Sequence, residues 1–140
     1  MTEKNQSRVS AKAFIVQNRK VLVIKRSDYT SQCPGIWELP GGQIETSESI
    51  MEGLQRETLE ETALEITVEE PLSVRRFQRV DGSWVDMTIF ICTAEKKDGI
   101  KLSREHDAYL WLDIAKAKKT IAEFYYPEID AYQKKFSDKK

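Results

Sequence analysis

Residues 42–64 read GQIETSESIMEGLQRETLEETAL, and the architecture turns on them. Apolar positions recur there at helical spacing, predicting a helix from about Ser47 or Glu48 to Thr62 with Thr46 or Ser47 as its cap. On a wheel stepped about 100° per residue, Ile50, Leu54, Thr58 and Met51 share an arc from about 200° to about 300°, the face expected to meet a core. Glu57, Glu60 and Glu61 form a stripe beside that arc and over it, with Glu61 between Ile50 and Leu54. Burying an unpaired carboxylate costs several kcal/mol or drives it neutral, and crowding three adds repulsion. A divalent cation resolves both conflicts. Spacing of i, i+3 and i+4 brings the three side chains to one spot, and all-oxygen ligands suit Mg²⁺, with Mn²⁺ as the alternative, rather than zinc. Gly53, one turn before Glu57, costs about 1 kcal/mol in a helix interior, and its bare backbone would leave room for a metal or a phosphate. The plainer alternative is a solvated glutamate face supported by pairs such as Glu52–Arg56 and Arg56–Glu60.

Before this helix, residues 9–17 and 20–26 are β-type runs separated by Asn18-Arg19, which reads as a hairpin. Ser27 to Gly42 holds two prolines and three glycines with little periodicity, predicting an ordered loop of functional length. After the helix, strand signals return at Ile66–Val68, Leu72–Val80 and Trp84–Ala94, the last two joined by an Asp81-Gly82-Ser83 turn, and again at Tyr109–Leu112. Asp113 is placed to cap a short helix, and Pro127 to open a last one carrying Ile129, Tyr132 and Phe136 at helical spacing. The Lys-rich end beyond Phe136 is expected to fray. Strands on both sides of a central helix, with helices again at the end, predict an α/β (α+β) fold with a mixed sheet between helices. Periodicity leaves the strand order open.

The 140 residues, 40% of them apolar, suffice for one domain spanning 1–140. The 22 basic and 23 acidic side chains nearly cancel, so no nucleic-acid polymer or anionic membrane is expected as partner, while a small charged ligand remains open. Cys33 and Cys92 show no metal or disulfide spacing and read as free thiols. No apolar run approaches the length of a membrane span, so a soluble cytoplasmic protein is the default expectation.

The same stretch, with Gly42, Glu48, Arg56, Glu57, Glu60, Glu61 and Leu64 in place, closely resembles the Nudix box, G-x5-E-x7-R-E-U-x-E-E-x-G-U. Thr58 stands where the box has an apolar residue and Ala63 where it has a late glycine. Trp37-Glu38-Leu39-Pro40-Gly41-Gly42 is similar to the family's approach to the box. The resemblance implies an α/β/α sandwich with a loop-helix-loop catalytic motif, and a MutT-like pyrophosphohydrolase. Glu57, Glu60 and Glu61 would be metal ligands or the general base, and Gly41 would offer its carbonyl to a metal. Glu48 and Arg56, with Gly42, would be structural supports. Glu105, in the loop before a late strand, fits a further acidic ligand, and Glu57 and Glu105 both stand as candidate bases. A non-catalytic nucleotide or nucleotide-sugar sensor is the alternative within the family.

For the substrate, the resemblance implies a small nucleotide, with Arg26 where a related antimutator enzyme holds phosphate; Arg75, Arg76, Arg79 and Arg104 are weaker candidates. No asparagine late in the chain matches the base reader of the oxidised-guanine enzymes. The ADP-ribose and dinucleoside polyphosphate markers are absent at Arg79-Val80-Asp81, and Ser31 stands where the coenzyme A signature has arginine. A nucleoside triphosphate is the first expectation. Trp37, Phe77 and Trp84 read as core more than as base-stacking groups, and His106, the single histidine, as structural. Many relatives pair, so a homodimer is an open expectation.

Overall fold

Alternation in the first β run sends its side chains to opposite faces of a sheet, and that split organises both cores. The computed structural model describes residues 8–30, 32–95 and 98–137; the expectations placed on Ser31 and on both chain ends beyond these limits lie outside them. In β1 (Arg8–Gln17), Phe14 joins one apolar cluster, while Ala11, Ala13 and Ile15 join the other. In β2 (Lys20–Arg26), Val21 and Val23 side with Phe14 and Leu22 with Ile15. The two strands meet in the expected hairpin. Gln17 pairs with Lys20, and Asn18 and Arg19 take φ of 53° and 65°, the left-handed pair that a two-residue turn needs to match strand twist.

The expected loop from Ser27 to Gly42 contains two short strands, β3 (Trp37–Glu38) and β4 (Gly41–Gln43). Lys25 faces Trp37 across β2 and β3, and Lys12 faces Gly41 across β1 and β4. Runs this short carry no period of their own, and only their partners define them.

The central helix α1 spans Ile50–Thr62 and starts from Ser49, not Thr46 or Ser47. Ser49 Oγ accepts from the Glu52 N–H, and the Glu52 carboxylate accepts from the Ser49 N–H. This capping box has the S-x-x-E spacing, which neither Thr46 nor Ser47 can offer. Leu54 and Thr58 are buried as the wheel predicts, but Met51 is 48% exposed. A wheel records azimuth and not depth along the axis, and Met51 lies in the first turn.

β5 (Ile66–Gln78) is one strand where two were expected. It passes through Pro71, which has no N–H for the ladder, by register shifts between Val68 and Glu70 and between Pro71 and Ser73. β6 (Trp84–Ala94) returns beside it, and β7 (His106–Asp113) begins three residues before the expected strand. β1 runs parallel to β6 from Arg8–Val85 to Ile15–Cys92, while β2 runs antiparallel to β7. The sheet is therefore mixed, in the order β3-β2-β1-β6-β5, with β4 added to β1 and β7 to β2.

Asp113 caps a 3-10 turn through Ala115 N–H (3.0 Å), and α2 (Tyr126–Ser137) begins one residue ahead of Pro127. Phe14, Met87, Ile114 and Ile129 fill the cluster under α2; Ile15, Leu54, Leu64 and Phe90 fill the one under α1. Helices thus cover both faces. Cys33 is exposed and Cys92 buried, both as free thiols, and burial pushes the Cys92 thiol up to about 12. Among the described residues no helix is long and apolar enough to cross a membrane.

Candidate functional site

β4 lies so close to β1 that its first residue must be glycine: Gly41 has φ +129°, and a Cβ there would overlap the Ala11 carbonyl oxygen. This approach aims the Gly41 N–H at Glu61, whose Oε1 accepts it at 2.9 Å. Glu61 is only 8% exposed. Burial pushes its carboxyl up to about 7, against the opposing pull of Lys12 and the Gly41 N–H. The conflict read from the wheel is real in three dimensions.

The three glutamates do not converge on one spot. Arg56 Nη1 lies 3.3 Å from Glu57 Oε2 and 3.2 Å from Glu60 Oε1, whereas Glu61 turns inward to Gly41. Glu57 is half-buried, and burial raises its pKa; Glu60 is exposed. Arg56 is itself gripped by Glu48 through Nη2–Oε1 at 2.7 Å and Nε–Oε2 at 3.0 Å. The Arg56 bond, with the Glu45 N–H, holds Glu48 down at about 2. Glu52, paired with Arg56 in the solvated-face reading, serves the helix cap instead.

Of two glycines beside these glutamates, Gly42 facing α1 and Gly53 within it, only Gly53 departs from expectation. A Cβ on Gly42 would come within 2.8 Å of Glu57 Oε1, so its bareness admits that carboxylate. A Cβ on Gly53 would meet Ile44 Cδ1 at 2.6 Å and Glu48 Oε1 at 2.8 Å. The space at Gly53 is taken by those side chains and not kept for a metal or phosphate.

Sequence reasoning missed Glu38 and Lys12. Glu38 is 7% exposed and receives Arg26 Nη1 at 3.0 Å, His106 Nε2 at 2.8 Å and Lys12 Nζ at 3.5 Å. Burial opposes its charge, but Lys12, His106 and Arg26 outweigh it and hold Glu38 at about 2. Lys12 Nζ also reaches the carbonyls of Leu39 (3.1 Å) and Gly41 (3.3 Å). Burial pulls its pKa down, yet Tyr125, Glu38 and Glu61 keep it above its ordinary value. A lysine in register with Phe14, inside an apolar run, was the available signal.

Glu105 comes to the same place from across the sheet. One carboxylate oxygen each from Glu61 and Glu105 and a ring nitrogen of His106 lie within 4.8 Å of one another. The loop carrying Glu105 is tied down by Ser27, whose N–H donates to the Glu105 carbonyl at 2.8 Å and whose hydroxyl donates to that of Arg104 at 2.5 Å. Among the described residues, Glu57 and Glu60 stand outside this group.

Arg26, besides meeting Glu38, donates from Nε to the Gln32 carbonyl at 2.8 Å. Arg75 is committed elsewhere, to Glu128 and the ring of Phe124. Arg76 meets Asp86 and the ring of Trp84, and Arg104 lies over Tyr29. Arg79 lines a cavity of about 560 Å³ with Gln32, Cys33, Val80 and Asp81. Trp37 and Phe77 pack against the α2-side core, as read from the sequence, while Trp84 is 40% exposed.

A sequence model described as the NUDIX domain matches residues 6–132. The chain is 38% identical over 106 residues to the 8-oxo-dGDP phosphatase NUDT18 of Homo sapiens, covering 75% of this chain and 30% of that protein, so it spans under a third of that relative's length. It is 31% identical over 119 residues to a MutT-like protein of Streptomyces ambofaciens, covering 84% of this chain and 71% of that one. Among solved structures, the MutT protein from Methanosarcina mazei Go1 superposes with a TM-score of 0.81 at 24% identity, covering 94% and 96% of the two chains. A C. elegans Ap4A hydrolase gives 0.76 at 17% identity, covering 94% and 98%. Both likenesses bear on the fold.

Proposed function

The chain belongs to the Nudix family, and on that premise we propose that it hydrolyses a phosphoanhydride in a nucleoside diphosphate linked to another group, with Mg²⁺ as cofactor and a nucleoside triphosphate as first substrate class. One observation carries this reading: Glu61 keeps a carboxylate at 8% exposure with a single backbone N–H as its hydrogen-bond partner among the described residues. A cation beside it gives that arrangement a physical reason.

Glu61 and Glu105, which already stand together, would hold the metal with the Gly41 carbonyl, and Glu57 and Glu60 would complete the set by turning away from Arg56. Bound there, Mg²⁺ would supply charge neutralisation to the phosphate oxygens, Lewis acidity, and a more acidic bound water. Glu48 fixes Arg56, and Arg56 fixes Glu57 and Glu60, so these two residues would position carboxylates without touching substrate. Gly42 leaves the Glu57 carboxylate its space. Arg26, oriented by Glu38 and the Gln32 carbonyl, is the proposed phosphate-facing cation. Glu57 or Glu105 takes the proton of the attacking water. Their glutamine variants separate the two: the one that is base and not metal ligand loses kcat while Mg²⁺ affinity holds, and the other loses both.

The test is phosphate or pyrophosphate release from nucleoside triphosphates, 8-oxo-dGDP, ADP-ribose, nucleotide sugars and dinucleoside polyphosphates, with Mg²⁺ and with chelator. Turnover that vanishes with chelator is expected. The 8-oxo-dGDP arm follows from the name of the Homo sapiens relative. Nucleotide binding without turnover across the panel would turn the reading into that of a sensor.

A further inference from the structure

We propose that Ser27 is a positioning residue for the hydrolysis: its hydroxyl fixes the backbone of the loop before β7, and so fixes where Glu105 stands beside Glu61. The inference rests on the role given to Glu105 above and goes beyond it, because that role does not say what holds an exposed loop glutamate in place.

Ser27 follows the last residue of β2, where a serine is ordinary, but it is only 7% exposed. β2 and β7 pair without interruption from Lys20–Asp113 to Lys25–Ala108. The register then shifts, so that Arg26 faces His106 and Asp107 is the extra residue. A bulge of this kind bends its strand and re-aims the side chains beyond it. One more rung is made past the bulge, where the Ser27 N–H donates to the Glu105 carbonyl at 2.8 Å. Ser27 Oγ adds a bond to the next carbonyl, that of Arg104, at 2.5 Å, and accepts the Tyr29 N–H at 3.3 Å. Both capacities of the hydroxyl are thus used, and two consecutive carbonyls of the Glu105 loop end on one buried residue.

The other ties on this loop are weaker. The Ser103 N–H donates to the Glu61 carbonyl at 3.2 Å, and the His106 N–H closes a turn onto the Ser103 carbonyl at 3.1 Å. Arg104 lies over the ring of Tyr29 at 4.5 Å, but both side chains are exposed, where such contacts contribute little. Glu105 is exposed as well, so core packing does not hold it. Its carboxylate nonetheless comes within 4.8 Å of that of Glu61, and a displacement of about 1 Å in a reacting group can cost about 10²-fold in rate. Arg26, the proposed phosphate-facing cation, directly precedes Ser27, so the end of β2 places a substrate-side charge and the Glu105 loop together.

Ser27→Ala keeps the N–H rung and removes the hydroxyl. In the metal-free chain, amide hydrogen exchange at Ser103 and His106 is expected to speed up about 10-fold, the effect of one lost hydrogen bond. With Mg²⁺ and whichever nucleotide of the panel above is turned over fastest, kcat should fall about 10–100-fold while KM changes by less than about 3-fold. In Glu105→Gln, which has already lost the group being positioned, adding Ser27→Ala should lower kcat by less than about 2-fold more. A serine that only stabilised the fold would lower Tm and leave kcat of the folded enzyme unchanged. Unchanged exchange at Ser103 and His106, or kcat losses that multiply in the double variant, would overturn the inference and leave the role of Glu105 standing. Full turnover in Glu105→Gln would overturn that role and the inference together.

Discussion

Each long helix buries one glutamate against the sheet, and the two are treated in opposite ways. Glu128, on α2, is 0% exposed and saturated: Ser73 Oγ reaches it at 2.6 Å, and Arg75 Nε and Nη2 each at 2.9 Å. The pair clamps α2 to β5. Glu61, on α1, is 8% exposed and takes one hydrogen bond, from Gly41, with Lys12 nearby as a field and not a direct partner. A buried carboxylate satisfied by its own chain is a structural fastening. One left partly satisfied, beside a second acidic residue, points to something the chain does not itself supply.

Substitutions at the two positions should separate these roles. Glu61→Gln should lower kcat by about 10²–10³-fold, the range for losing a group that stabilises charge in a reaction. The chelated variant should melt no lower than wild type, since a neutral amide relieves a buried charge, and the rise in Tm with Mg²⁺ should disappear. Full turnover in this variant breaks the comparison. Glu128→Gln should do the reverse: about 2–3 kcal/mol lost in denaturant unfolding, because Arg75 keeps its charge without its partner, with the Mg²⁺-dependent rise in Tm retained.

Two smaller effects sharpen the picture of α1, and both fall where the chain departs from the Nudix box. Thr58 is fully buried with an Oγ1 that has no partner among the described residues. Thr58→Val should stabilise by about 1 kcal/mol, and a loss of stability would mean that this hydroxyl is satisfied and that α1 is less sparing of partners than Glu61 suggests. Ala63 ends the helix at φ 66°, its N–H donating to the Leu59 carbonyl. A left-handed alanine costs about 1–2 kcal/mol, part of which glycine returns as chain entropy, so Ala63→Gly should raise stability by about 0.5–1 kcal/mol in the same unfolding measurement.

Those two departures were visible in the sequence, but their costs were not. That Ala63 takes the left-handed conformation and that Thr58 finds no acceptor depend on how α1 sits on β1, β4 and β5. The hairpins at Asn18-Arg19 and Asp81-Gly82-Ser83 were legible because a turn and the strands beside it lie within a few residues. Met51 and the helix cap were misread for local reasons too: one needed depth along the axis, and the other needed the Ser49–Glu52 spacing to be given its full weight. The cluster around Glu38 was illegible for a different reason. Glu38 and His106 are 68 positions apart, and Lys12 and Arg26 come from two further strands, so no window of sequence contains the group.

By itself, the sequence determined that a helix carrying glutamates at i, i+3 and i+4 aims one of them at its own core, because azimuth around a helix follows from residue number alone. It also determined the mixed α/β class and the family resemblance. The tertiary structure decided how those carboxylates are divided. Arg56 holds Glu57 and Glu60, the Gly41 N–H holds Glu61, and strand pairing delivers Glu105 and His106 beside Glu61. Helical periodicity says which way a side chain points, but only the chain closing on itself says what it points at.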